Sequence, residues 1–384
     1  MRLGQAHLSY CTNIHPAESW EETRAALEGP VMAVAASLRE CGALAPDASF
    51  GIGLRLSARA ARELLEGGGL PAFRDWLAAN NSYVFTINGF PYGDFHGTRV
   101  KERVFQPDWA DPVRVAYTRD LFRILAEIAP PDVGASVSTL PCSLKAFGAD
   151  ERLIRRNLVA LAQWIEDLAA RSGLDLHLGL EPEPLGHIEN TRETLALFER
   201  LHCEAPDGEL LRRRIGLNYD ACHFALQYEE PDGALDLLTA AGIRLSKIHL
   251  SSALALDPRD PAAMAAIRGF DEPTYFHQVL TRDADGLITR HADLPDFLTE
   301  PQAAESTEAR VHFHIPLDAE PAAPLRSTRD HVTGLLGWCT HHPDACRHFE
   351  IETYTWGVLP PELRRPVTAQ IVDEFRWVLG QWGK

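Results

Sequence analysis

Residues 152–220 read RLIRRNLVALAQWIEDLAARSGLDLHLGLEPEPLGHIENTRETLALFERLHCEAPDGELLRRRIGLNYD. Within Arg152–Ser172, Leu153, Leu158, Leu161, Trp164, Ile165 and Leu168 recur at roughly three- and four-residue steps, a stripe that packs a helix on a sheet. Asp175–Glu181 is a short apolar run, Thr191–His202 returns to helical spacing, and Arg214–Asp220 is a second short run. Helix, strand, helix, strand is the repeating unit of a parallel sheet.

Working outward, strand-like runs also fall at His7–Thr12, Phe50–Leu56, Ser82–Asn88, Gly134–Thr139, Ile243–Leu250 and Arg347–Thr353, eight in all. Helical spacing covers Ser57–Leu65, Val113–Ile128, Asp232–Ala241, Ser327–Cys339 and Thr368–Gln381. Eight strands, most of them followed by a helix, predict an α/β fold, a (β/α)8 TIM barrel built as one domain over residues 1–384. An open doubly wound sheet would want a glycine-rich phosphate turn after an early strand. Gly67-Gly68-Gly69 follows a helix instead and reads as a helix stop. The gap from Leu250 to Arg347 exceeds what one helix needs, so residues 251–310 are expected to form an inserted hairpin or lid region after strand seven. Thr281–Gly286 looks like its turn, Glu300–Glu308 is an acidic, alanine-rich spacer, and ARVHFHIPL is a further strand-like run.

Hydrophobic residues make up 45% of the 384 and charged ones 24%, the balance of a globular chain with a large core. A formal charge of −17 speaks against a nucleic-acid groove and favours a small-molecule or basic protein partner. Cys11, Cys41, Cys142, Cys203, Cys222, Cys339 and Cys346 are odd in number and unpaired in spacing, which predicts a reducing, cytoplasmic setting. The first residues lack the basic-then-apolar run of a signal peptide, and no apolar stretch suffices for membrane insertion.

The chemistry collects at the ends of the last four strands. LGLEPEP brings Glu181 and Glu183, GLNYDACHF brings Asp220 and His223, SKIHL brings His249, and HFEIETYTW brings Glu350 and Glu352. An apolar strand has no structural reason to end in an acid, because an unpaired buried carboxylate is costly. Glutamates, an aspartate and a histidine on contiguous strand ends suit a divalent metal ion of intermediate hardness: Mn2+, Zn2+, Co2+ or Fe2+.

This ordered set resembles the xylose-isomerase-like superfamily of sugar isomerases, epimerases and endonuclease-IV-type phosphoesterases. The longer strings SYCTNIHPAESW, INGFPYGDFHG, LEPEPLGHIENT, NYDACHFA and EIETYTWGVLP resemble the EboE-type metabolite traffic proteins over nearly the whole chain. The resemblance implies metal ligands at Glu181, Asp220, His249 and one glutamate of strand eight. Glu350 and Glu352 face one side of that strand. Glu352 is nearer the mouth and is the choice, with Glu350 beneath it; Glu183 poses the same question beside Glu181. It also implies a small sugar-like or polyol metabolite, and catalysis by Glu181 and Glu352 moving a proton through a metal-stabilised enediolate.

Asn13, His15, His96, Glu183, His223, Lys247, His312 and His314 are expected substrate contacts. Lys247 could equally neutralise a carboxylate inside the barrel. His312 and His314 could be two same-face histidines of an ordinary strand, or, if folded over the mouth, ligands for a second metal. Two other functions stay open. One is phosphoester hydrolysis, with Arg55, Lys145 or Arg290 holding phosphate; strands two and four offer no histidine for it. The other is a carrier or scaffold that docks on protein partners of an export pathway. A homodimer is compatible with either.

Overall fold

The computed structural model describes residues 1–96, 99–300, 305–361 and 364–383. Eight parallel strands form the barrel: β1 (Ala6–Tyr10), β2 (Phe50–Arg55), β3 (Ser82–Asn88), β4 (Ala135–Thr139), β5 (Leu176–Leu180), β6 (Ile215–Asp220), β7 (Leu245–Leu250) and β8 (His348–Ile351). They run in sequence order round the sheet, with β8 between β7 and β1. A parallel bridge from Cys11 to Gly53 joins β1 to β2 and completes the circle. The short strand Arg2–Leu3 adds antiparallel to β1. Every barrel strand expected from the sequence is present, within one or two residues at each end, whereas the run ARVHFHIPL is strand only as far as Val311.

The helix Glu151–Ser172 shows why the periodic reading works. Asp150 caps its first turn by accepting from Arg152 N, and Gly173 ends it at φ 72°, where a β-carbon would be strained. Its buried face is Ile154, Leu158, Leu161, Ile165 and Ala169, while Leu153, Trp164 and Leu168 lie half-buried along the flanks. Several elements carry weaker signals. Trp20–Ala26 and Met32–Glu40 are joined through a wide π turn containing Pro30, and Leu70–Ala79 begins straight after the glycines. A proline within the first pair breaks the 3.6-residue rhythm that would have declared one helix.

Between β7 and β8 the chain builds a second, antiparallel sheet of five strands, ordered Ile288–His291, Val279–Arg282, Glu308–Val311, Leu254–Leu256 and Arg326–Ser327. It has an apolar core of its own around Leu256, Val279, Phe297, Val311 and Phe313. The hairpin pairing runs to Arg282 and resumes at Ile288, so the turn is centred slightly later than Thr281–Gly286. Residues 301–304 of the expected spacer lie outside the described residues. This sheet sits over the barrel mouth. Val100 N donates to Thr274 O, Lys101 is ion-paired with Asp293, and Gln278 donates to Glu183. Among the described residues no helix is long and apolar enough to cross a membrane, and all seven cysteines are free.

Glu374, buried on the last helix, accepts from Thr353 Oγ1 at 2.6 Å and Gln370 Nε2 at 3.1 Å, yet burial pushes its carboxyl up to about 7. Unfolded, this carboxyl ionises near 4.5. Between those values the native state keeps a proton that the unfolded state has lost. Stability therefore falls as pH rises through that window, by up to about 3 kcal/mol. Glu374→Gln is expected to flatten this part of the pH profile in urea titrations. An unchanged profile would show that the carboxyl is already ionised in the native protein.

Candidate metal centre

β5, β6, β7 and β8 bring Glu181, Asp220, His249 and Glu352 together, one ligand atom from each lying within 4.8 Å of the others. Around His249 Nδ1 stand Glu352 Oε2 at 3.1 Å, Glu181 Oε1 at 3.3 Å and Asp220 Oδ2 at 3.4 Å. Ligand atoms about 2 Å from a shared cation sit about 3–3.5 Å apart, so the spacing is that of a coordination shell. All four side chains are buried, and Asp220 Oδ2 has no hydrogen-bond donor. Three carboxylates drawn out of water around one imidazole leave a deficit of positive charge. The side chains show it: burial works against a charged His249, but Glu352 and Glu181 hold its pKa well above the ordinary value. The residues fit a divalent ion.

Each ligand is aimed by a partner. His249 Nε2 lies 2.9 Å from Glu350 Oε2, which turns Nδ1 to the centre. Glu352 Oε1 accepts from Asn13 Nδ2 and Asn88 Nδ2, both at 2.8 Å, leaving Oε2 to the cation position. Asn218 Nδ2 donates to Glu181 Oε2 at 2.7 Å, and Ser251 Oγ donates to Asp220 Oδ1 at 2.7 Å. Asp220 Oδ1 also caps the helix Ala221–Leu226 by accepting from His223 N, so that helix carries His223 into the site. Beneath the centre, Glu350 is ion-paired with Lys247, which donates to Ser138 Oγ at 3.2 Å. Gly53 makes room for this pair: a β-carbon there would collide with the Glu350 carboxylate.

A second convergence lies beside the first. His312 and His314 follow the strand Glu308–Val311 and fold over the mouth rather than lying on an ordinary strand. His312 Nε2 is 3.1 Å from both His223 Nε2 and His314 Nε2. Their Nδ1 atoms face oxygen acceptors: Pro182 O at 2.9 Å for His223, Gln278 Oε1 at 2.6 Å for His312, and Glu352 O at 3.0 Å for His314. An imidazole that donates from Nδ1 presents a lone pair at Nε2. Burial keeps His312 and His314 below the ordinary histidine pKa, so their Nε2 lone pairs face one another, whereas Asp220 and Glu183 raise the pKa of His223 against its own burial. That arrangement is unfavourable unless a cation or proton lies between them. Glu183 stands alongside, its carboxyl pushed up to about 7 by burial.

The cavity over both clusters opens to solvent and is lined by Asn13, Glu181, Glu183, His223, His312 and Glu352 among others. Other expected contacts lie elsewhere. Lys247 is spent on Glu350 inside the barrel. His15 Nε2 pairs with Tyr10 OH at 2.9 Å and faces a separate small hollow. His96 packs edge-on against Phe95 outside the cavity lining. Of the expected phosphate partners, Arg55 is bound to Glu18, Lys145 to Glu189 and Glu193, and Arg290 to Glu189; none lines the cavity. Asn88, Asn218 and Gln278 escaped the sequence reading. The first two sit at or near strand ends, the position that pointed to the acids, whereas nothing local marks Gln278.

No protein-family model and no curated protein matches the chain. Solved structures similar in fold include the following three. One is the 1.8 Å crystal structure of IolI protein with a binding zinc atom, 10% identical, TM-score 0.48, covering 97% of this chain and 95% of that one. Another is the probable 3-DHS dehydratase AsbF, involved in petrobactin synthesis, from Bacillus anthracis: 13% identical, TM-score 0.45, 96% of this chain and 97% of that one. The third is a D-tagatose 3-epimerase-like protein, 12% identical, TM-score 0.46, 97% and 98% covered. These are likenesses of fold alone.

Proposed function

We propose that this chain is a metal-dependent isomerase or epimerase-like enzyme that moves a carbon-bound proton on a small hydroxylated metabolite. The observation that carries this reading is the state of two cavity-lining carboxylates. Glu181 and Glu352 each have one oxygen anchored by asparagine and the other turned toward His249 Nδ1. A divalent cation held by Glu181, Asp220, His249 and Glu352, whether Mn2+, Zn2+, Co2+ or Fe2+, supplies a Lewis acid for adjacent carbonyl and hydroxyl oxygens. Anchoring keeps each carboxylate in one orientation, so the proton it accepts leaves from and returns to a defined place. Lys247 and Glu350 orient His249 from below, and the antiparallel sheet between β7 and β8 covers the mouth and limits water. The resemblance of strings such as NYDACHFA and EIETYTWGVLP to EboE-type proteins is the ground for a place in secondary-metabolite traffic, and the free cysteines support the cytoplasm. Metal-loaded protein incubated in heavy water with a panel of hydroxyketones is expected to place deuterium next to the carbonyl, read by NMR. Tight ligand binding with no exchange on any of them would make the chain a carrier.

The convergence of the Nε2 atoms of His223, His312 and His314 beside Glu183 favours a second cation beside the first. Paired metals also serve phosphoester hydrolysis, but the commitment of Arg55, Lys145 and Arg290 to carboxylates leaves a phosphate without those partners. Elemental analysis is expected to find about two transition-metal ions per chain, with His312→Ala reduced to about one and the Asp220 site intact. A wild-type value of one, unchanged in the variant, would mean that a proton holds the histidines together.

A further inference from the structure

Above the centre the cavity changes character. Its walls are Phe90, Phe95, Phe105, Tyr275, Phe276 and Tyr354, with aliphatic side chains between them. The rings brace one another: Phe95, Tyr275 and Tyr354 form a triangle with centroids 5.2–5.4 Å apart, and Phe90 meets Phe105 edge-on at 5.5 Å. Such mutual packing fixes the shape of the wall before any ligand arrives. Polar groups outside the two clusters are few and mostly committed. Asn13 and Asn88 donate to Glu352. The ammonium of Lys101 is ion-paired with Asp293 and lies 6.0 Å from the Phe276 ring centroid. The phenol hydroxyls of Tyr275 and Tyr354 remain.

A polyol carries a hydroxyl on nearly every carbon, and each one buried without a partner costs roughly tenfold in affinity. Only one end of this cavity offers partners. We infer that the substrate is amphiphilic, with a carbonyl–hydroxyl or similar oxygen pair facing the centre and an apolar, cyclic or unsaturated body lying among the aromatic walls. The inference rests on the proposed metal centre and narrows its metabolite from "small and hydroxylated" to one hydroxylated at a single end.

Three hydroxamates that share one chelating head and differ in the body separate the two claims. Acetohydroxamate, naphthohydroxamate and gluconohydroxamate are titrated calorimetrically into metal-loaded protein and into protein stripped with chelator. Naphthohydroxamate is expected to bind the loaded protein about 30- to 300-fold more tightly than acetohydroxamate, as burial of its rings implies. Gluconohydroxamate stays within a few-fold of acetohydroxamate. Phe276→Ser, just before the covering strand Val279–Arg282, and Phe95→Ser each cut the naphthyl preference about tenfold and leave acetohydroxamate affinity unchanged. Metal-dependent binding without a naphthyl preference, or a polyol preferred over the naphthyl body, overturns the inference and spares the centre. Absence of metal-dependent binding by all three overturns the centre and the inference together.

Discussion

Asp220→Ala is expected to abolish tight metal binding at the first site while the barrel still folds. Asp220 is fully buried, supplies an oxygen with no protein donor, and lies 3.4 Å from His249 Nδ1. Removing a residue that merely supports a ligand weakens metal sites by about 10–100-fold; removing a ligand itself should exceed that. The structural cost is separate and smaller. Asp220 Oδ1 caps a short helix and accepts from Ser251, and losing such a cap costs about 1 kcal/mol. Asp220→Asn keeps a carbonyl oxygen for the cap while removing the charge. Elemental analysis after gel filtration, paired with thermal melts in chelator, therefore separates the effects. Both variants should lose the cation, and only the alanine should lower the melting point of the stripped protein appreciably. Retention of a full complement of metal by Asp220→Ala would dissolve the centre as drawn.

The second large effect concerns proton transfer, and the two glutamates are not equivalent tests. In Glu181→Gln the new amide nitrogen needs an acceptor. Asn218 Oδ1, which has no donor of its own, supplies one if that side chain flips, freeing the glutamine oxygen for the metal. In Glu352→Gln the flip is available to Asn13, whose Oδ1 is also without a donor. It is blocked at Asn88, whose Oδ1 already holds Phe90 N at 3.1 Å. Glu181→Gln should thus keep most of its metal and lose about a hundred- to ten-thousandfold in carbon–proton exchange, the usual contribution of a general base. Glu352→Gln should lose the same exchange and part of its metal as well. Deuterium incorporation, normalised to metal content, reads both. Exchange at the wild-type rate in metal-replete Glu181→Gln would remove Glu181 from the role of base.

Sequence and structure agree where local physics dominates. Alternating strand and helix periodicity depends on which face of each element is apolar, and that is written within a few turns of chain. β2, β3 and the helix Pro112–Ile128 accordingly fall within a residue of expectation. The acids at the ends of β5, β6 and β8 were legible for a related reason: a charged residue closing a buried strand must have a partner, even before the partner is known. Weak periodicity failed first. Trp20–Glu40 hides behind Pro30, and the roles of Asn88 and Asn218 were missed because an amide carries no charge to raise the question.

The sequence by itself determined the barrel, the end of it that carries chemistry, and the identity of four side chains that converge there. The first two follow from patterns read over a few consecutive residues and from the cost of burying charge; the four side chains were picked out by the family resemblance. Only the tertiary structure decided the finer assignments. Lys247 turns down to Glu350 rather than up to the cavity, because Gly53 on the far strand leaves room for the pair. His312 and His314 leave the strand and meet His223 across 89 and 91 residues of chain. Glu352 keeps one oxygen free because Asn13 and Asn88, from two other strand ends, hold the second. Contacts between residues so far apart in sequence leave no periodic trace in it. They are set by the closure of the barrel and the docking of the covering sheet, which fix which atoms can meet.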